Sequence, residues 1–164
     1  MLDSATVDEV RLRPAALQDV EGLLELQRAY YAEEGYPFAE AAARSCWEAL
    51  LADPVLGRGW VAHAQEALVG YAILTLGFSF EYRGRDAFVD EIYVAPAFRG
   101  RGIAGRALAA LEAECAQCGV KALHLEVERG NEAARRLYRR RGFADKDRIL
   151  MTKRQSADGA GEVE

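Results

Sequence analysis

The residues with the most chemical meaning begin at Arg99-Gly100-Arg101-Gly102-Ile103-Ala104-Gly105, which joins a β-type apolar run to a helical one. Backbone N–H groups at a helix start have no internal acceptors, and the helix dipole adds partial positive charge there. Glycines let that backbone approach a phosphate with no side chain in the way. Arg99 and Arg101 add charge-assisted donors, and the pair would repel without an anion. A pyrophosphate or similar anion is the guest this pattern suits; the plain alternative is a tight turn with no ligand. Gly100, Gly102 and Gly105 also spell GxGxxG, with an acid, Glu126, about 20 residues on, as a dinucleotide fold requires. Three features oppose that reading. Five residues separate the strand from the first glycine, only 38 residues follow Glu126, and about 90 precede the motif. A nucleotide-hydrolase loop is excluded because no GK[ST] follows the glycines. Cys115 and Cys118 form a CxxC, but Cys46, His63 and His124 are too scattered in sequence to complete a zinc site. No metal is implied, and the two cysteines continue an apolar helical pattern (Ala104, Leu108, Leu111), as reduced core residues do.

The elements that must hold this loop can be read from periodicity. Val10 and Leu12 alternate with arginines as a strand that Pro14 ends. Apolar residues at helical spacing give a helix to about residue 34, broken at Gly35-Tyr36-Pro37, and a second helix over 38–52. Strands follow at 60–64 and 67–76, then a polar-aromatic connection over 78–85 and a strand over 87–94. A helix over 103–118, a strand over 121–127, a helix over 131–141 and a last strand over 149–153 complete the order βααβββαβαβ, an α/β or α+β domain. Residues 155–164 have no apolar periodicity and read as a disordered tail.

Composition bounds the function. A chain of 164 residues fits one domain, and 51% hydrophobic content excludes a disordered protein. The longest apolar stretches, such as 67–76, are about half the ~20 residues a bilayer needs, so no membrane role is expected. The start, Met1-Leu2-Asp3-Ser4, lacks an export pattern and reads as cytoplasmic. Residues 95–141 carry ten Lys/Arg against five acids although the whole chain has net charge −5. That asymmetry suits a polyanion on one half and a cation on the other.

Val94-Ala95-Pro96 followed by Arg99-Gly100-Arg101-Gly102-Ile103-Ala104 resembles the Q/R-x-x-G-x-G/A motif of the GCN5-related N-acetyltransferases (GNAT). Asn131, Tyr138 seven residues later, and then Gly142-Phe143 resemble that family's second signature. Ala104 stands where Gly is commoner, a departure the pattern allows. The resemblance covers 88–143 closely and the element order covers the rest. It implies one acetyltransferase domain over 1–154, with a mixed, mostly antiparallel central sheet flanked by helices and a splayed strand pair that receives acetyl-CoA.

By the same resemblance, the backbone of Ile92, Tyr93 and Val94 would pair with the pantetheine arm like an added strand. The N–H groups of Gly100, Arg101, Gly102, Ile103, Ala104 and Gly105 would hold the pyrophosphate, with Arg99 and Arg101 flanking it and Asn131 on the cofactor arm. Amine attack on a thioester expels a thiolate, to which Tyr138 would give a proton. Asn131 and Tyr138 lie nearly two helical turns apart and share a face; the plainer reading of Tyr138 is a packed core ring. The attacking amine must lose a proton, and Asp90, Glu126 or Glu91 could accept it, directly or through water. Strict alternation places Asp90 and Glu91 on opposite faces, Asp90 with Phe88 and Ile92. Asp90 matches the base of diamine acetyltransferases and Glu126 that of ribosomal-protein N-terminal acetyltransferases. Surface or ion-paired carboxylates are the alternative for each. The N–H of Val94 would serve the developing oxyanion.

The acceptor is less legible. Tyr31, Glu34, Phe80 and Tyr82, with neighbouring aromatic and acidic residues, suit a cationic amine through cation–π contacts and ion pairs. A polyamine-like amine is the leading reading; an aminoglycoside, an amino acid or a protein amine stays open, and so do acids that merely solubilise the helices. Rival classes are a non-catalytic acyl-CoA-binding domain, a small oxidoreductase module, and a nucleic-acid binder using Arg135, Arg136, Arg139, Arg140 and Arg141. The sequence pI of about 5.2 argues against nucleic acid. A homodimer is implied by resemblance alone.

Overall fold

Alternation of Val10 and Leu12 with arginines suits a half-buried strand, and the computed structural model, which describes residues 10–155, folds Val10–Pro14 as strand β1. A 3-10 turn, Leu17–Asp19, leads into helices α1 (Val20–Glu34) and α2 (Glu40–Ala52). Asp19 ties this corner. Its carboxylate accepts from Arg13 at 2.7 and 2.8 Å and from the Ala16 N–H at 2.8 Å. The bond from Arg13 is the main reason its pKa falls below the ordinary carboxylate value. Strands β2 (Gly57–Ala64), β3 (Ala67–Ser79) and β4 (Gly84–Val94) form an antiparallel meander. Helix α3 (Ile103–Gln117) then returns the chain to β5 (Ala122–Leu125), which pairs parallel to β4. The sheet order is β1-β2-β3-β4-β5.

The sheet separates two apolar layers. Val61, Tyr71, Ile73 and Tyr93 pack with Val20, Leu23 and Leu24 of α1 and Trp47 of α2. Ala62, next to Val61 and so on the opposite face, packs with Val10, Val69 and Ile103 of α3. Burial of these side chains is the main force holding the helices to the sheet.

The chain divides into two compact units. Residues 1–126 contain the sheet with α1, α2 and α3; residues 127–164 contain α4 (Glu132–Arg140). No helix among the described residues is long and apolar enough to cross a membrane.

Two sequence expectations need correction. No strand forms over 149–153, where Ile149, Leu150 and Met151 are exposed. An apolar run alone cannot satisfy its backbone N–H and C=O groups, and this one has no ladder partner among the described residues. The connection expected over 78–85 is only residues 80–83, because β3 and β4 pair out to Ser79 and Gly84. Cross-strand hydrogen bonding overrides the polar character of that stretch. Of the expected tail, 156–164 lie outside the described residues.

Candidate active site

Strand β4 carries three of the chemically interesting carboxylates, and its register decides what each can do. Leu74 of β3 faces Val89, but the next residue back, Ile73, faces Glu91. Asp90 is therefore the extra residue of a β-bulge. Thr75 faces Phe88 and Ala72 faces Ile92. Residues two apart share a face, so Glu91 lies on the side of Phe88 and Ile92 on the other. The expectation that Phe88, Asp90 and Ile92 share one face is thus wrong: the bulge breaks the alternation on which it depended.

The β4–β5 ladder ends at Val89 and Leu125, while β4 continues to Val94 against β3. Beyond that rung the two strands no longer pair. Asp90 and Glu126 are the first residues past it, one on each strand, so two of the sequence-predicted carboxylates come to the mouth of the same seam. Solvent touches Asp90, yet the protein atoms around its carboxyl raise the pKa by desolvation. Such a carboxylate is a stronger base than an ordinary one.

Glu91 sits in different surroundings. Tyr31 donates to one oxygen at 2.8 Å and Tyr71 to the other at 2.7 Å. Gln27 Nε2 reaches both, at 3.3 and 3.1 Å, and Gln27 Oε1 accepts from Trp47 Nε1 at 3.0 Å. Burial first, and then interaction with Glu91, push both phenols well above the ordinary tyrosine value, so they remain donors. With these donors, Glu91 fastens β4 to α1 beside the bulge.

The loop after β4 has the shape of an anion cradle. Gly100 and Gly102 adopt left-handed backbone, φ +76° and +74°, and a Cβ on either would meet nothing within 4 Å. Arg106 N–H donates to Gly102, the first bond of α3, so the N–H groups of Ile103, Ala104 and Gly105 precede its ladder. Open glycine backbone at a helix start fits a pyrophosphate. The Ile103 side chain is core. The arginines, however, already have partners. Arg99 bonds Glu33 at 2.7 Å and the Val94 carbonyl at 2.9 Å, and lies over the Tyr93 ring. Arg101 lies over Phe98 and bonds the Ala97 carbonyl at 3.2 Å. Their mutual repulsion is thus relieved without a bound anion, and the case for a phosphate rests on the glycines. Tyr93 donates to Glu33 at 2.9 Å, while the bond to Arg99 is the main cause of a lowered Glu33 pKa.

In the second unit, the Asn131 side chain caps α4 by accepting from Ala134 N–H at 3.1 Å. Tyr138 packs edge-on against Phe143, and burial raises the pKa of its phenol, which favours the protonated form an acid needs. Arg135 and Arg139 both pair with Asp145, at 3.3 and 2.9 Å, and Arg135 also with Glu132. The basic helix is thereby partly neutralised by its own unit.

The expected acceptor residues do not form one cluster. Tyr31 is committed to Glu91. Glu34 is exposed, and Phe80 stands 91% exposed beyond β3. Tyr82 packs against His124. Sequence reasoning missed Glu33 as the partner of Arg99, Gln27 and Tyr71 as partners of Glu91, and the pairing of Asp86 with His124. These partners are tens of residues apart, so no local spacing marks them.

Residues 20–143 match the profile of the acetyltransferase (GNAT) family. YycN of Bacillus subtilis (strain 168), an uncharacterised N-acetyltransferase, is 35% identical over 74 residues, 45% of this chain and 47% of that protein. The thialysine N-epsilon-acetyltransferase of Bos taurus is 31% identical over 78 residues, 48% of this chain and 45% of that protein. The aligned stretches therefore span about half the length of these two relatives. An integron cassette protein from the mobile metagenome of Cole Harbour Salt Marsh superposes with a TM-score of 0.80 at 36% identity, over 90% of this chain and 91% of that one.

Proposed function

We propose that this chain, which belongs to the acetyltransferase (GNAT) family, transfers an acetyl group from acetyl-CoA to a primary amine by direct attack in a ternary complex. The observation that carries this reading is the seam where β4 runs past β5 and leads into the glycine loop. Acetyl-CoA supplies the activated acyl group. The free edge of β4 at Ile92 and Val94, with Tyr93 between them bonded toward β3, suits its amide-bearing arm, although one acceptor there, the Val94 carbonyl, already serves Arg99. The cradle from Gly100 to Gly105 suits its pyrophosphate. Asn131 is assigned to the cofactor arm and Arg101 to the phosphates.

Asp90 takes the proton of the attacking amine, its raised pKa matching that task, with Glu126 as the alternative. The Val94 N–H donates to the reacting carbonyl oxygen. Tyr138 returns a proton to the departing thiolate. The acceptor is a small cationic amine, as the thialysine acetyltransferase relative supports. A single domain over 1–154, a homodimer and a cytoplasmic location belong to the same reading, on family resemblance.

Calorimetric titration with acetyl-CoA, beside NADH, tests the donor. Micromolar binding of acetyl-CoA without a response to NADH is expected, and absence of acetyl-CoA binding overturns the reading. Thiol release over polyamines, aminoglycosides and peptides then identifies the acceptor.

A further inference from the structure

Asp86 differs from Glu91, the other carboxylate on its face of β4, in its lack of donors. Its closest partner is His124 Nε2 at 3.5 Å, longer than a normal hydrogen bond of ~2.7–3.2 Å. Among the described residues no closer donor reaches it, and its side chain is 23% exposed. An ionised carboxylate can accept about four hydrogen bonds, so this one has unused capacity toward a cation. It is also given room. A Cβ on Gly77, its register partner on β3, would stand 2.7 Å from Asp86 Oδ1, so the carboxylate occupies space that any other residue there would fill.

Two more rings adjoin the His124 imidazole. Phe88 shares the face of Asp86 and is the register partner of His124. The His124 ring lies 6.1 Å from Phe88 and 5.4 Å from Tyr82. Aromatic faces beside a carboxylate attract an ammonium group more than either does alone. This face also carries Glu91, and Asp86 lies four residues before Asp90, about 13 Å at the rise of a strand.

We propose that Asp86, beside the ring cluster of His124, Phe88 and Tyr82, binds a second ammonium group of the acceptor, several methylenes from the amine that is acetylated. This rests on the proposed amine acetylation at Asp90 and names the acceptor class as a long-chain diamine or polyamine. The His124 imidazole lies beside the carboxylate in the absence of that group and shifts when it arrives.

The test compares 1,7-diaminoheptane with heptylamine. In the intact protein, the ratio of their kcat/KM values should exceed tenfold and fall at least tenfold in Asp86→Asn. Gly77→Ala, which keeps the charge but displaces the carboxylate, should lower the same ratio. A ratio unchanged in both variants overturns the proposal. A second measurement needs no turnover. The imidazole resonance of His124, assigned by comparison with His63→Gln, should shift on adding the diamine and not the monoamine, and the shift should vanish in Asp86→Asn. A selective shift without acetyl transfer would uphold the site and sink the proposed reaction. Equal responses to both amines would sink the site even if acetylation is seen.

Discussion

Glu91 and Asp86 stand five residues apart on one strand and share one face of the sheet, yet their surroundings are opposite. Glu91 is held by two phenols and an amide; among the described residues Asp86 has only an imidazole at 3.5 Å. Asp90, between them on the bulge, is open to solvent, and desolvation by the protein atoms around its carboxyl is the cause of its raised pKa. A carboxylate whose capacity is filled by the protein contributes to stability. One left partly unfilled is available to a ligand, because binding then adds interactions that folding did not already make.

The sharpest test of this contrast is Glu91→Ala. It strands three buried or half-buried donors and should cost about 3 kcal/mol of stability in urea unfolding. A loss as small as that of a surface substitution would erase the distinction. Next, Asp90→Asn should lower kcat/KM about a hundredfold if Asp90 is the base, and remove the rise of activity with pH through its pKa. Its effect on stability has the opposite sign to Glu91→Ala. A raised pKa means the folded state holds the proton more tightly, so ionisation weakens folding as pH rises. The Asn variant should therefore be the more stable at pH 7, the difference closing below roughly pH 4, which thermal melts across pH would show. An unchanged pH–rate profile would move the base to Glu126 or water.

Gly102→Asp moves to the open loop. A side chain at φ +74° with a negative charge should weaken acetyl-CoA binding at least tenfold by calorimetry. Because a Cβ there meets nothing within 4 Å, the fold should persist. Retained affinity would discredit the cradle. The mildest change, Tyr71→Phe, removes one donor from Glu91 and should cost about 1 kcal/mol with the pH–rate profile unmoved. A shift of that profile would mean that Glu91 takes part in the proton transfer.

The glycine loop, the helix starts at α3 and α4, and the meander of strands are all legible from neighbouring residues. Their physical causes are local: backbone freedom at Gly100 and Gly102, apolar periodicity along α3, and the cap at Asn131. The order of nine elements from β1 to α4 follows the sequence expectation for the same reason. Only the last strand fails, because pairing needs a partner that composition does not supply.

The bulge at Asp90 could not be read in this way. An extra residue in one strand is defined only against the register of its neighbour, so the faces of Glu91 and Ile92 were open until β3 was in place. The same holds for charge. Nothing near Glu91 in sequence distinguishes it from Asp90; Gln27 and Tyr31 lie 64 and 60 residues away. Sequence alone determined the acetyltransferase signature and which residue types stand along β4. Tertiary structure alone decided which carboxylate is tied down and which is free, because hydrogen-bond saturation and desolvation depend on groups that folding brings together from distant parts of the chain.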